Sequence, residues 1–296
     1  MPYALILKER LLHLFPIATI RGSWPAAVMD DKLSKTELVT KVVTSIGEPE
    51  LLEFVCQHFS ETRQHIHLFA LAPRTLSDLP SGARYLGDET AFRTKNSSKR
   101  REAFFLLKVK HDVILIDPLE NLSLDFLWPA RVILESGRAE LRLTTLAKNI
   151  GDYVPEERRY TRHRVSLTEE SLVANFTTSL AKYFKTKPLD LNTGVKSLWR
   201  DGLIDSAAVR WKRSYSTSAE SMDPREMLRL RYPALFDDIM KAPLFKTEFR
   251  FMQDAQDYVD VFTADPTRGI LTFPRFSEAS AGTGLDNVVR AILGKN

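Results

Sequence analysis

Residues 103–146 read AFFLLKVKHDVILIDPLENLSLDFLWPARVILESGRAELRLTTL, and they decide the predicted fold. Short apolar runs rich in β-branched and aromatic residues, separated by turn residues, are typical of antiparallel strands. Lys110-His111-Asp112 separates the first two runs and Ser136-Gly137 the last two, where glycine favours a hairpin because it tolerates positive φ. We therefore expect a sheet in the middle of the chain. Its four predicted strands are Ala103–Val109, Val113–Asp117, Arg131–Glu135 and Ala139–Thr144.

The residues before this sheet are predicted to form a small helical module. Ser34 and Glu37 have the spacing of a capping box, which predicts a helix beginning near Lys35. Residues 65–71 alternate like a strand, and residues 72–102 have the proline, glycine and basic residues of a linker. We therefore expect an N-terminal helical domain at residues 1–90 and an α+β domain built on antiparallel meanders at residues 103–296.

The last third of the chain predicts a second antiparallel meander and a closing helix. Strands are expected at Phe245–Met252, Tyr258–Ala264 and Ile270–Phe273, with Asp265–Gly269 as the turn between the last two. Asp286–Leu293 has the apolar spacing of a helix. The predicted fold class is α+β, with a small N-terminal helical module followed by mainly antiparallel sheet segments and packed helices.

Composition limits the classes of function. Cys56 is the one cysteine and cannot form an internal disulfide, so we expect a reducing, cytoplasmic location. No apolar run approaches the length of a membrane span, and we expect no membrane association. The formal net charge is +4, from 42 Lys and Arg against 38 Asp and Glu. This mild excess fits nucleic-acid binding if it is clustered, and otherwise a basic surface that keeps the protein in solution.

The cations do form clusters along the sequence, and two of the clusters contain aromatic residues. Guanidinium groups bind phosphate in forked geometry, and aromatic faces stack on unpaired bases. The alternative is that Trp211 is a core residue, that Glu156 and Glu157 pair with neighbouring arginines, and that residues 93–101 are a linker. The candidate nucleic-acid-binding residues are Arg93, Lys95, Lys99, Arg100 and Arg101, then Arg158, Arg159, Tyr160, Arg162 and Arg164, then Arg210, Trp211, Lys212 and Arg213.

Two further groups of residues have the chemistry of metal ligands. Cys56, His58, His65 and His67 are acceptable zinc ligands, but their spacing matches no closed site. If residues 65–71 form a strand, the last two histidines share a face. We expect no metal and no cofactor. The alternative is a metal-dependent nuclease with Asp117 at a strand end and Glu140 and Arg142 on a later strand, although arginine stands where such sites use lysine.

The sequence thus predicts a non-enzymatic protein that contacts the phosphate backbone of DNA or RNA with little sequence preference. The N-terminal helices are expected to bind DNA or dock a protein partner. An adaptor or subunit of a larger complex is the first alternative, and the nuclease using Asp117 and Glu140 is the second.

Overall fold

The computed structural model describes residues 3–25, 32–72, 76, 84–116, 118–146, 153–154, 159–212, 217–221, 228–251, 261–274 and 284–296, and these form an α+β fold, as predicted. The helices are α1 (Leu5–Leu12), α2 (Ile17–Ser23), α3 (Lys35–Ser45), α4 (Glu48–His58), α5 (Glu169–Ala181), α6 (Asn192–Arg200), α7 (Leu228–Arg231), α8 (Pro233–Lys241) and α9 (Gly284–Lys295). The strands are β1 (Gln64–Ala72), β2 (Arg93–Asn96), β3 (Arg100–Ile116), β4 (Glu120–Glu135), β5 (Arg138–Thr144), β6 (Arg159–Val165), β7 (Lys185–Pro188), β8 (Ile204–Lys212), β9 (Thr217–Ser221), β10 (Thr247–Phe251), β11 (Val261–Asp265) and β12 (Ile270–Phe273).

The twelve strands form one sheet, and every pairing described between them is antiparallel. The strand order is β2-β3-β4-β5-β1-β12-β11-β10-β8-β9, with β6 added to β3 and β7 added to β1. β1 lies in the middle, between β5 and β12. The strand that the sequence places in the first predicted domain therefore belongs to the same sheet as the strands of the second. The boundary between residues 90 and 103 stays a prediction.

β3 is one strand of 17 residues, so the break predicted at Lys110-His111-Asp112 is wrong. These residues stay extended because they pair with Asp125, Leu124 and Ser123 of β4. Lys110 and Asp112 lie on the solvent side of the strand, where polar residues need no turn, and His111 points to the other face and packs against Phe126. The hairpin predicted at Ser136-Gly137 is present, and Gly137 has the expected positive φ of 81°.

Helices cover both faces of the sheet. On the front face, α1–α4 pack over β3 and β4. On the same face, α6, α8 and α9 pack over the neighbouring strands β1, β12, β11, β10 and β8. The back face is packed by α5, whose Leu172, Phe176 and Leu180 lie on apolar residues of β1, β3, β4 and β5. The capping box predicted at Ser34 and Glu37 begins α3.

The outer end of the β3–β4 hairpin extends beyond β5, which pairs only with residues 130–135 of β4. β6 joins this end by pairing with residues 111–116 of β3. We call this three-stranded unit the arm: residues 108–116 of β3, residues 120–127 of β4, and β6. Its back side holds a small apolar cluster of Val113, Leu115, Leu124, Phe126 and Val154.

The longest helix in the described ranges, α5, has 13 residues and a length of about 20 Å. The hydrocarbon core of a bilayer is about 30 Å thick. None of the described helices has the length and apolar character to cross it.

Candidate nucleic-acid interface

The front side of the arm carries cations from two strands. Lys108 and Lys110 alternate with the buried Leu107 and Val109, so their exposed side chains point away from the apolar cluster. On β6, Arg159 is paired with Ile116 and Arg164 with Asp112, which lie on the same side of β3 as the two lysines. Cross-strand partners point to the same face of a sheet. The four exposed cations therefore share one surface, which we call the basic arm face: Lys108, Lys110, Arg159 and Arg164.

Two carboxylates lie among these cations. The Nζ atom of Lys110 is 3.8 Å from Oδ1 of Asp112, and the Ser123 hydroxyl donates to the same oxygen at 2.6 Å. Asp125 is the cross-strand partner of Lys110. Among the side chains that the structure describes on this surface, four cations stand against two carboxylates, which is an excess of positive charge. The ion pair is exposed and weak, because water and salt screen it.

The other predicted residues of the second cluster do not join the basic arm face. Tyr160 is paired with Leu115 and packs against the apolar cluster on the back of the arm. The Tyr160 ring therefore lies on the face of the arm opposite Arg159 and Arg164, and its predicted stacking on bases stays a prediction. Arg158 and the side chain of Arg162 lie outside the described residues.

The first cluster lies on the same edge of β3 but at its other end. β2 pairs with residues 101–104, so Glu102, opposite Lys95, is about 20 Å along β3 from Lys108. Two of its arginines pair with carboxylates: Arg93 with Glu53 of α4, and Arg100 with Glu135 at 3.2 Å.

Its remaining members have different surroundings. Arg101 hydrogen-bonds to the Tyr85 phenol, and the Lys95 ammonium lies 5.8 Å from the centre of the Phe104 ring. Lys99 is exposed in the turn between β2 and β3. The first cluster is therefore separate from the basic arm face, and Glu53 and Glu135 offset part of its charge.

The third cluster lies far from both. β8 is seven strand spacings from β3 in the sheet, a distance of about 34 Å. Trp211 is 1% exposed within the main core, so its predicted role in base stacking is wrong, whereas Arg210 is exposed. The side chain of Lys212, and Arg213 altogether, lie outside the described residues. The structure thus does not bring the three basic clusters together.

The residues of the nuclease alternative form a buried ion-pair network instead of an open site. Glu140 and Arg142 are each 3% exposed, and Nε and Nη2 of Arg142 donate to Oε2 of Glu140 at 2.9 and 2.7 Å. Nη1 of Arg142 donates to Asp286 on α9. Burial raises the pKa of Asp286, but the charges of Arg142 and Arg131 outweigh burial and lower it below its ordinary value. Asp117 lies outside the described residues.

His65 and His67 share the back face of β1, as the predicted strand requires, and both bind Glu169 at the start of α5. Nδ1 of His65 and Nε2 of His67 are each 2.7 Å from one of its carboxylate oxygens. Burial raises the pKa of Glu169, but the two hydrogen bonds outweigh burial and bring it down to about 2.

Cys56 and His58, the other two possible zinc ligands, do not join this cluster. Nδ1 of His58 is 2.7 Å from Glu61, and burial raises the pKa of the Cys56 thiol to about 11. Within the described ranges, no group of three or more histidine, cysteine or acidic residues is arranged to hold a metal ion.

Sequence reasoning missed Lys108 and Lys110, the two residues that extend the basic arm face along β3. The signal was present, because residues 107–110 alternate between apolar and cationic. Reading residues 110–112 as a turn hid the alternation on the outer half of the strand. The arginines of β6 lie beside these lysines because β6 pairs with β3, and the paired residues are about 50 positions apart in the sequence.

Comparison with protein-family models gives no match to this sequence, and comparison with curated proteins gives none either.

Proposed function

We propose that this protein is a non-enzymatic nucleic-acid-binding protein and that the basic arm face holds the phosphate backbone. The observation that carries the proposal is the convergence of Lys108, Lys110, Arg159 and Arg164, from two strands, on one exposed face of a projecting arm. Lysine and arginine at phosphates position a protein without reading bases. Little sequence preference is therefore expected.

The dimensions of the arm suit a polyanion. From Lys108 to Ile116, the partner of Arg159, the strand advances about 26 Å. Duplex DNA advances 3.4 Å per nucleotide of each strand, so this length matches about eight base pairs. Thr161 on β6 and Asn121 on β4 are exposed at residues paired with Ile114, and they add neutral hydrogen-bonding groups beside the cations.

Binding measured against salt concentration tests the proposal. Four neutralised phosphates predict a slope of log K against log salt of about −3.6 for duplex DNA and about −2.8 for single strands. Duplex affinity should then fall about 150-fold between 50 and 200 mM salt. The probe should be recovered intact in the presence of magnesium or manganese.

The decisive variant is Lys108→Glu/Lys110→Glu, with Lys185→Glu/Lys187→Glu as its matched control. Both pairs are exposed lysines two positions apart on one strand, and both variants change the net charge equally. The arm variant should at least halve the salt slope, while the β7 variant should bind like the parent protein. Equal weakening by both variants would show attraction to overall charge and would contradict a site on the arm.

One observation favours an adaptor role as the second candidate. Leu5 and Ile6 of α1 are 48% and 47% exposed, which gives the N-terminal helices an apolar outer patch suited to a protein partner. An adaptor would show no measurable affinity for single- or double-stranded probes even at low salt. The same titration therefore separates the two candidates.

A further inference from the structure

The tip of the arm presents apolar side chains to water. Leu119, in the turn from β3 to β4, is 80% exposed, more than any other large apolar side chain that the structure describes. Ile116 at the end of β3 is 36% exposed, and Pro118 between them is exposed as well. Single exposed apolar residues are common on protein surfaces, but the tip has three within four positions, and we call them a patch; Asp117, the fourth, lies outside the described residues.

This patch adjoins the basic arm face. Ile116 is the cross-strand partner of Arg159, so an apolar side chain and a guanidinium group lie side by side on the front of the arm. Lys110 and Arg164 lie farther back along the same face. A duplex whose phosphate backbone contacts these cations would lie against the same end of the arm as Ile116 and Leu119. Glu120 is paired with Leu115 and so belongs to the other side of the arm.

We propose that Leu119, supported by Ile116, is a wedge that inserts between base pairs of a duplex at a flexible or mismatched step. Proteins that use leucine, isoleucine or proline in this way unstack one step and bend the duplex. The cost of unstacking is lowest where pairing is already disturbed, so the preferred ligand is a distorted duplex rather than a uniform one. This proposal rests on the proposed function, because the cations must first hold the backbone.

The test compares two probes of equal length and charge: a duplex of uniform pairing and the same duplex with a central mismatch. A 2-aminopurine base beside the mismatch reports unstacking by its fluorescence. The parent protein should bind the mismatched duplex about tenfold more tightly, or better, and raise the fluorescence, since burying an exposed leucine is worth about that factor. Leu119→Ser should bind both probes equally, with an unchanged salt slope, and Leu119→Met should keep the preference.

The charge variant separates failure of the wedge from failure of the proposed function. Lys108→Glu/Lys110→Glu should lower the affinity for both probes by the same factor and leave the ratio of the two affinities unchanged. Equal affinity of the parent protein for both probes, or a preference that survives Leu119→Ser, would overturn the wedge and leave phosphate binding intact. No binding to either probe would overturn both. Vesicles of phosphatidylserine and phosphatidylcholine test binding to another anionic surface, a membrane. The wedge would also be overturned if the parent protein binds these vesicles, Leu119→Ser abolishes that binding, and neither duplex is preferred.

Discussion

A single substitution at Arg142 should strongly destabilise the fold. Its guanidinium, 3% exposed, donates twice to Glu140 and once to Asp286, so it joins β5 to α9. Arg142→Leu keeps much of the side-chain volume and removes all three hydrogen bonds. It leaves Glu140 with Nε of Arg138 at 3.5 Å and Asp286 with the Ser60 hydroxyl at 3.1 Å.

The expected loss follows from those contacts. Each hydrogen bond to a charged group is worth about 1.5–3 kcal/mol, and the desolvation of the buried guanidinium offsets part of the sum. Breaking a buried ion pair by removing one partner costs about 3–5 kcal/mol. We expect Arg142→Leu to lower the unfolding free energy by that amount, which corresponds to a fall in Tm of about 5–8 °C in a protein of this size.

Urea denaturation at pH 7 measures the loss, with Arg290→Leu as the control. Arg290 lies on α9 near Asp286 but is exposed, so its substitution should change the unfolding free energy by less than about 0.5 kcal/mol. The double variant Arg142→Leu/Glu140→Leu should recover at least about 1.5 kcal/mol, because it also removes the buried carboxylate that the single variant leaves with only the 3.5 Å contact to Arg138. A single variant that loses less than about 1 kcal/mol, or a double variant less stable than the single one, would refute the reasoning.

Three further predictions concern the two histidines, a helix contact and the thiol. The pKa of Glu169 is about 2, below its ordinary value, so its ionised form adds stability above about pH 4.5, and this stability is lost as the pH falls towards 2. In urea titrations, Glu169→Gln should therefore lower the unfolding free energy by about 2 kcal/mol at pH 7 and by little at pH 2. A Cβ on Gly194 would lie 2.1 Å from the carbonyl oxygen of Ile292 in α9, so Gly194→Ala should lower the unfolding free energy by about 1–3 kcal/mol in thermal melts. A Cβ on Gly22 meets nothing within 4 Å, so Gly22→Ala should be neutral or slightly stabilising. The pKa of Cys56, about 11, predicts slow reaction with a thiol reagent at pH 8 and fast reaction in urea, and rapid labelling of the folded protein would contradict its burial.

What the sequence predicted well was local. The Ser136-Gly137 hairpin, the Ser34 capping box and the Asp265–Gly269 turn each depend on a few adjacent residues whose backbone preferences decide the outcome. The turn ends at Gly269 with φ 67°, where a Cβ would meet the carbonyl oxygens of Leu68 and Leu189 at 2.6 and 2.7 Å. The fold class followed from the alternation of apolar residues.

What it predicted poorly depends on contacts across the chain. Trp211 and Arg142 have residue types that suit a binding surface, and only the packing of distant elements shows that both are buried. The order of the strands is likewise hidden, since β1 pairs with β5 and β12. Of the candidate site, the sequence supplied Arg159 and Arg164, but not the lysines with which they share a surface.

The central place of β1 also has a consequence during translation. Its partner on one side, β5, is complete at residue 144, but its partner on the other, β12, follows about 130 residues later. At 5–20 residues per second, the ribosome needs roughly 6–26 s to supply it. Over that interval the nascent chain holds an unsatisfied hydrogen-bonding edge at residues 64–67, and we expect chaperones to engage the newborn protein there before α9 closes the fold.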